Sequence, residues 1–174
     1  DPPVWVGELY LELHRGTYTS QAKNKRANRK SELLLRDAEF LDAVTFALAP
    51  GRKQSVADPE RALYDVTGLE ESPKTHRAAL ERAWKLVLLN QFHDIIPGSS
   101  INWVYQDSQR DYETIRQLGE SVRDSALATL AMLIDSASFK TPVLVANSLG
   151  FRRQEIIELP DGELASVDVP PCGY

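Results

Sequence analysis

Residues 101–133 read INWVYQDSQRDYETIRQLGESVRDSALATLAML. Ile101, Ser108, Ile115 and Val122 recur every seven positions and interleave with Tyr105, Tyr112, Gly119, Ala126 and Leu133, a spacing that lays one apolar stripe along a helix. Ser99 or Ser100 is placed to cap its start. A second stretch, from about Ser20 to Leu48, contains neither proline nor glycine. There Ala27, Leu34, Leu41 and Leu48 repeat together with Ser31, Ala38 and Thr45, predicting another long striped helix.

Between these two the punctuation is clear. Pro50-Gly51 stops the first helix, and Asp58-Pro59-Glu60 joins a capping aspartate to a proline at the first helical position, predicting a short helix to about Thr67. Ser72-Pro73 repeats the start signal. Leu80, Ala83, Trp84, Val87 and Gln91 then carry one face forward to the pair His93-Asp94 at a helix end. Long stripes joined by short connections predict a mainly α fold built on an antiparallel three-helix bundle.

The character changes near Ser136–Pro142. Val143-Leu144-Val145-Ala146, Glu155-Ile156-Ile157-Glu158-Leu159 and Leu164 to Val169 are β-like runs divided by Asn147-Ser148, Asp161-Gly162 and Pro170-Pro171. They read as the start of a β-sandwich, truncated at the C-terminus. At the other end Leu9, Leu11 and Leu13 alternate with Tyr10 and Glu12, as in a half-buried strand or extended lead-in running from Val4 until Gly16 breaks it. The expected organisation is a lead-in over residues 1–19, the bundle over 20–137 and the first strands of a β domain over 138–174.

Composition sets bounds on function. The chain has 174 residues, 43% of them hydrophobic and 26% charged, with a formal net charge of −5. That is enough to bury a sizeable core, and the acidic balance argues against a general nucleic-acid surface, which needs a basic excess to replace phosphate counterions. The single cysteine, Cys172, rules out an intrachain disulfide and a multi-cysteine zinc site and is compatible with a reducing compartment. No apolar run reaches the roughly 18 residues of a membrane span, and Asp1-Pro2-Pro3 does not open a signal peptide. The sequence reads as soluble, with its natural ends expected to lie beyond it.

Imidazoles come only from His14, His76 and His93. A zinc site takes about four ligands, so this chain falls short of a complete local one. A lone histidine at a helix end is ordinarily a polar surface or capping residue. Without further context the striped helices favour a non-catalytic helical protein-interaction module.

Two motifs supply that context: ELYLELHRGTYTSQ at residues 8–21 and QFHDIIPGSS at residues 91–100. Together and in this order they resemble the central region of α-mannosidases of glycoside hydrolase family 38. The resemblance runs from about Val4 to Ser100 and continues through Asn147-Ser148-Leu149-Gly150 and Val169 to Tyr174, which are similar to the opening of the family's β-sandwich. It implies a fragment of a retaining, zinc-dependent enzyme that hydrolyses terminal α-mannosyl residues of oligosaccharides. By the same resemblance His93 contributes one zinc ligand and Asp94 accepts hydrogen bonds from mannose hydroxyls in the catalytic subsite. His14 stands where family members carry a tryptophan, and is expected to line that subsite. Tyr18, beside it, reads as a packing residue at the helix start.

This division of labour is chemically coherent, because zinc can fix neighbouring hydroxyls of a mannose ring while a rigid helix end holds the ligand. Retention needs two carboxylates about 5–5.5 Å apart. In the family these, with the remaining zinc ligands, come from an N-terminal β/α domain, so no catalytic residue is assigned here and the fragment is expected to be inactive alone. Its expected partners are that domain, the rest of the C-terminal β-sandwich and a mannose-containing oligosaccharide. Unfinished strands also leave it open to self-association.

The Phe92-His93-Asp94 form with Pro97 in the turn is closer to the bacterial and cytosolic or vacuolar branch than to the Golgi and lysosomal one, where a second histidine precedes the pair. A cytoplasmic location follows as an expectation. Lys23, Lys25, Arg26, Arg29 and Lys30 crowd the first turns of a helix, where the macrodipole already places positive charge. They read as a solvated basic face or as a dock for the absent catalytic domain.

Overall fold

The structure, a computed structural model, describes residues 2–7, 16–48 and 75–174. Three helices are followed by a hairpin: α1 is Ala22–Leu48, α2 is His76–Asn90, α3 is Asn102–Leu133, β1 is Arg153–Glu158 and β2 is Leu164–Val169. The short helix expected after Asp58, the Ser72-Pro73 start signal and the alternating run Leu9–Leu13 lie outside the described residues. Of the lead-in, Val4, Trp5 and Val6 are described, exposed and in neither helix nor strand.

Contacts between side chains give the direction of each helix. Ser108 bonds Asn24 and Tyr112 reaches Asn28, so the equivalent ends of α1 and α3 lie together and the two run parallel. Gln91 meets Asn28 and Glu32, Trp84 meets Glu39 at 2.9 Å, and His76 meets Asp42 at 2.6 Å, so α2 runs against α1. This is the up-down-up bundle expected from the stripes. Its apolar centre joins Leu35 and Ala38 to Leu80, Ala83 and Val87 and to Tyr112, Ile115 and Val122. Each large aliphatic side chain fully withdrawn there contributes about 1.5–3 kcal/mol.

The stripe of α3 is as expected over Tyr105, Ser108, Tyr112, Ile115, Gly119, Val122 and Ala126, all buried. Ile101 and Leu133, at its ends, are exposed, and Leu130 takes the last buried place. In α1 the buried line is Asn24, Ser31, Leu35, Ala38, Leu41 and Thr45, with Leu48 exposed. Leu35 lies at the centre and Leu34 beside it, while Ser31, Ala38, Leu41 and Thr45 keep the expected register. Leu34 instead helps cover Gly119: a Cβ built on that glycine would lie 2.8 Å from Leu34 Cδ2 and 3.1 Å from Leu35 Cδ2. The missing side chain lets α1 and α3 approach closely.

One expected local feature is corrected. The N-cap of α3 is Ile101, without a side-chain cap bond, rather than Ser99 or Ser100. The Ser100 amide donates instead to the Tyr105 hydroxyl at 2.9 Å. The N-cap of α2 is Thr75, whose side chain accepts from the Ala78 amide.

In the tail, β1 and β2 pair antiparallel around the expected Asp161-Gly162 turn, with Gln154 opposite Asp168 and Ile157 opposite Ala165. Val143–Ala146 is no strand, since no ladder forms along it. Single bonds pin the segment that follows: Asn147 N–H to Gly173 O and Cys172 N–H to Leu149 O, both 2.8 Å. Buried Asn147 also donates to the carbonyls of Phe151 at 2.8 Å and Pro170 at 2.9 Å. Ser148 ties this region to α1, accepting from Arg36 and donating to Asp37 at 2.6 Å. None of the described helices is long and apolar enough to cross a membrane.

Candidate functional site

The α-helical ladder of α2 closes at Gln91, whose amide donates to Val87 O at 3.0 Å. Beyond it the chain winds through successive turns, with Ile95 N–H to Phe92 O at 2.8 Å and Gly98 N–H to Ile95 O at 3.1 Å. His93 and Asp94 sit on the outer side of these turns with 73% and 56% of their side chains exposed, and His93 Nε2 lies 3.2 Å from Asp94 Oδ2. Phe92 leans on the imidazole, ring centroids 4.2 Å apart. Neither His93 nor Asp94 caps a helix. Among the described residues their polar contact is with each other, which leaves both side chains free to meet something outside the bundle.

The turn behind them is held firmly. Ile95 O accepts from the Tyr105 hydroxyl at 3.3 Å and, more weakly, from Asn24 Nδ2 at 3.5 Å. Lys25 Nζ donates to Pro97 O at 3.1 Å. One layer further in, Gln91 Nε2 donates at 3.0 Å to both Asn28 Oδ1 and Glu32 Oε1, and Asn28 in turn donates to Glu32 at 3.0 Å. Asn90, which is buried, donates to Asp111 at 3.0 Å and to Leu86 O at 2.9 Å. Ser108 and Asn24, both about fully buried, complete the set.

A buried polar atom left without a partner costs about 1–3 kcal/mol, so a satisfied network of this kind tolerates few alternative positions. The electrostatics agree with burial. Tyr112 has its phenol pushed well above the usual range by burial, with the Glu32 and Asp111 carboxylates adding to it. Burial also lowers the Lys25 ammonium.

Of the residues singled out in the sequence, His93 and Asp94 are brought together, and His14 lies outside the described residues. Tyr18 is exposed rather than packed at the helix start. The basic run divides: Lys25 turns to backbone carbonyls and Arg29 pairs with Glu32 at 3.2 Å, while Lys23, Arg26 and Lys30 are solvent-exposed. No group of three or more His, Cys, Asp or Glu side chains among the described residues could hold a metal ion. His93 and Asp94 suit zinc in kind, an imidazole nitrogen and a carboxylate oxygen, but not in number. The remaining ligands would have to come from elsewhere. Sequence reasoning missed Asn24, Asn28 and Asn90, of which Asn24 and Asn90 stand in stripe register and Asn28 does not, and it took Tyr105 as a stripe residue without its hydrogen bonds.

The Alpha mannosidase middle domain model matches residues 12–130. Alpha-mannosidase 2C1 of Mus musculus is 37% identical over 98% of this chain, and its Homo sapiens counterpart is 36% identical over the same share. An Alpha-mannosidase of Saccharomyces cerevisiae is 39% identical over 71% of the chain. This chain spans 14% of the length of the mouse and human proteins and 9% of the yeast one. With the match covering α1, α2, nearly all of α3 and the QFHDIIPGSS motif, the chain belongs to the alpha-mannosidase middle domain family.

Proposed function

We propose that this chain is the middle part of a retaining, zinc-dependent α-mannosidase that removes terminal α-mannosyl residues from oligosaccharides. Its share of the work is to present His93 as one zinc ligand and Asp94 as an acceptor for mannose hydroxyls, with His14 lining the same subsite. The observation that carries this reading is an exposed His-Asp pair on a turn that the bundle fixes from behind with part-buried hydrogen bonds. A mere surface turn has no use for such a foundation. The family membership and the names of the relatives support the same reading.

When bound, zinc would supply Lewis-acid positioning of vicinal sugar hydroxyls. The chain's own residues orient and bind: a carboxylate accepting from a sugar hydroxyl makes a charge-assisted bond worth about 1.5–3 kcal/mol. The nucleophile and the acid/base belong to the absent N-terminal domain, as do the other metal ligands. The full protein is proposed to be cytoplasmic, in keeping with its branch of the family.

The test uses the full-length enzyme. His93→Ala is expected to lower both zinc content, by elemental analysis, and turnover of 4-nitrophenyl α-mannoside. Asp94→Asn is expected to keep the zinc and to lower turnover by roughly ten- to a hundredfold, the loss of one charge-assisted bond. Full zinc occupancy with near-normal kinetics in His93→Ala would make His93 a surface residue and end this assignment. The 174-residue chain by itself is expected to show no turnover; chelator-sensitive activity in a purified sample would contradict the division of the site between domains.

A further inference from the structure

Two segments distant in sequence meet back to back at the site. One is the turn Gly16–Gln21, which follows His14; the other is the turn that carries His93 and Asp94. Their backbones touch at Gly98, which has φ +93°. A Cβ there would stand 2.8 Å from Ser20 Cβ and 2.9 Å from Ser20 O, so both the backbone angle and the space demand glycine. Lys25, in the first turn of α1, reaches across the same seam, with Nζ 2.6 Å from Ser20 O and 3.1 Å from Pro97 O. Its neighbours in the basic run do nothing comparable: Arg29 pairs with a side chain, and Lys23, Arg26 and Lys30 face solvent.

We propose that Lys25 and Gly98 form an interlock that sets the His93-Asp94 turn against the Gly16–Gln21 segment, which makes Lys25 a positioning residue for the pair; this rests on the roles proposed above for His93 and Asp94. The ammonium satisfies one carbonyl on each side, and a charge-assisted donor shared between two acceptors resists sliding of either. Gly98 allows the close approach that brings both carbonyls within reach. A displacement of about 1 Å at the sugar-facing carboxylate is enough to cost up to a hundredfold in rate.

The experiment is a double-mutant cycle in the full-length enzyme, with kcat and KM for 4-nitrophenyl α-mannoside measured in wild type, Lys25→Met, Asp94→Asn and the double variant. Methionine keeps the stem and removes the donor. Lys25→Met is expected to lower kcat/KM about tenfold or more in the wild-type background, and to cost less than about a third of that factor once Asp94 is already asparagine. A general loss of stability would appear equally in both backgrounds, so an equal loss overturns the interlock, as does wild-type activity in Lys25→Met. If Lys25→Met yields no folded enzyme, Gly98→Ala, which forces the seam apart while leaving Lys25 intact, is carried through the same cycle and decides the matter on the same terms. Asp94→Asn distinguishes the two levels of inference: its loss of activity with an unaffected Lys25→Met removes the interlock alone, whereas wild-type kinetics in Asp94→Asn removes the role of Asp94 and the interlock with it.

Discussion

The middle of the bundle and its turn-bearing end are built from the same three helices with different interiors. In the middle Leu35, Ala38, Ala83, Val87, Ile115 and Val122 meet as apolar surfaces, which attract without direction. At the end Asn24, Asn28, Asn90, Gln91, Tyr105 and Ser108 meet through hydrogen bonds, each of which fixes a distance and an angle. The middle thus supplies most of the stability and the end supplies position. A helix end that presents a His-Asp pair to something outside needs the second more than the first.

The largest effect should come from the middle. Ile115 is fully buried in the apolar cluster to which all three helices contribute, and Ile115→Ala is expected to destabilise the chain by about 2–5 kcal/mol, the sum of lost transfer energy and the cavity left behind. Urea unfolding monitored by circular dichroism measures this. A loss below about 1 kcal/mol would mean that the apolar middle is not where stability resides, and the contrast between the two regions would fail.

A smaller and more informative effect is expected at the polar end. Asn24→Ala removes the acceptor of the Ser108 hydroxyl, leaving it buried and unpaired, at an expected cost of about 1–3 kcal/mol. Replacing both, as Asn24→Ala with Ser108→Ala, should cost less than the two single losses added together, because the second change removes the orphan created by the first. Strict additivity in unfolding experiments would show that the pair is not a coupled bond and would weaken the argument that this end specifies position.

The two interiors were unequally legible in the sequence. Heptad spacing disclosed α1, α3 and most of the residues they bury, because apolar periodicity is a local property of the chain. It misplaced Leu34 and Leu35, since a seven-residue repeat does not say how wide a face is covered when a helix packs against two others. Val143–Ala146 looked like a strand because apolar runs register burial and not the presence of a partner. His93 and Asp94 were legible only through their motif. Lys25 was not legible at all as a positioning group: within a basic run it reads as surface charge, and its meaning comes from Pro97, brought to it by the return of α2. Similarly, Ser100 read as a cap, yet α3 begins one residue later, behind Ile101, and the Ser100 amide donates to the Tyr105 hydroxyl.

The hairpin sharpens the comparison by offering polar contacts without burial. Arg152 holds Asp168 with two bonds, 2.6 Å to Oδ1 and 2.7 Å to Oδ2, and Gln154 adds a third at 3.0 Å, yet all three residues are exposed. The Arg152 guanidinium, followed by the Gln154 amide, holds the Asp168 carboxyl down to about 2. Because an unfolded aspartate titrates near 3.9, the linkage favours the folded chain above that pH and is lost as pH falls from about 4 towards 2. Arg152→Ala should therefore flatten the pH dependence of unfolding in that window, and added salt should do the same more mildly. Near neutral pH, where water screens an exposed pair, the variant should lose less stability than Asn24→Ala although each change removes two side-chain hydrogen bonds. Unfolding curves collected from pH 2 to 7 in both variants test the ordering: if Arg152→Ala proved the more damaging at pH 7, burial of the polar contacts would not be what distinguishes the turn-bearing end.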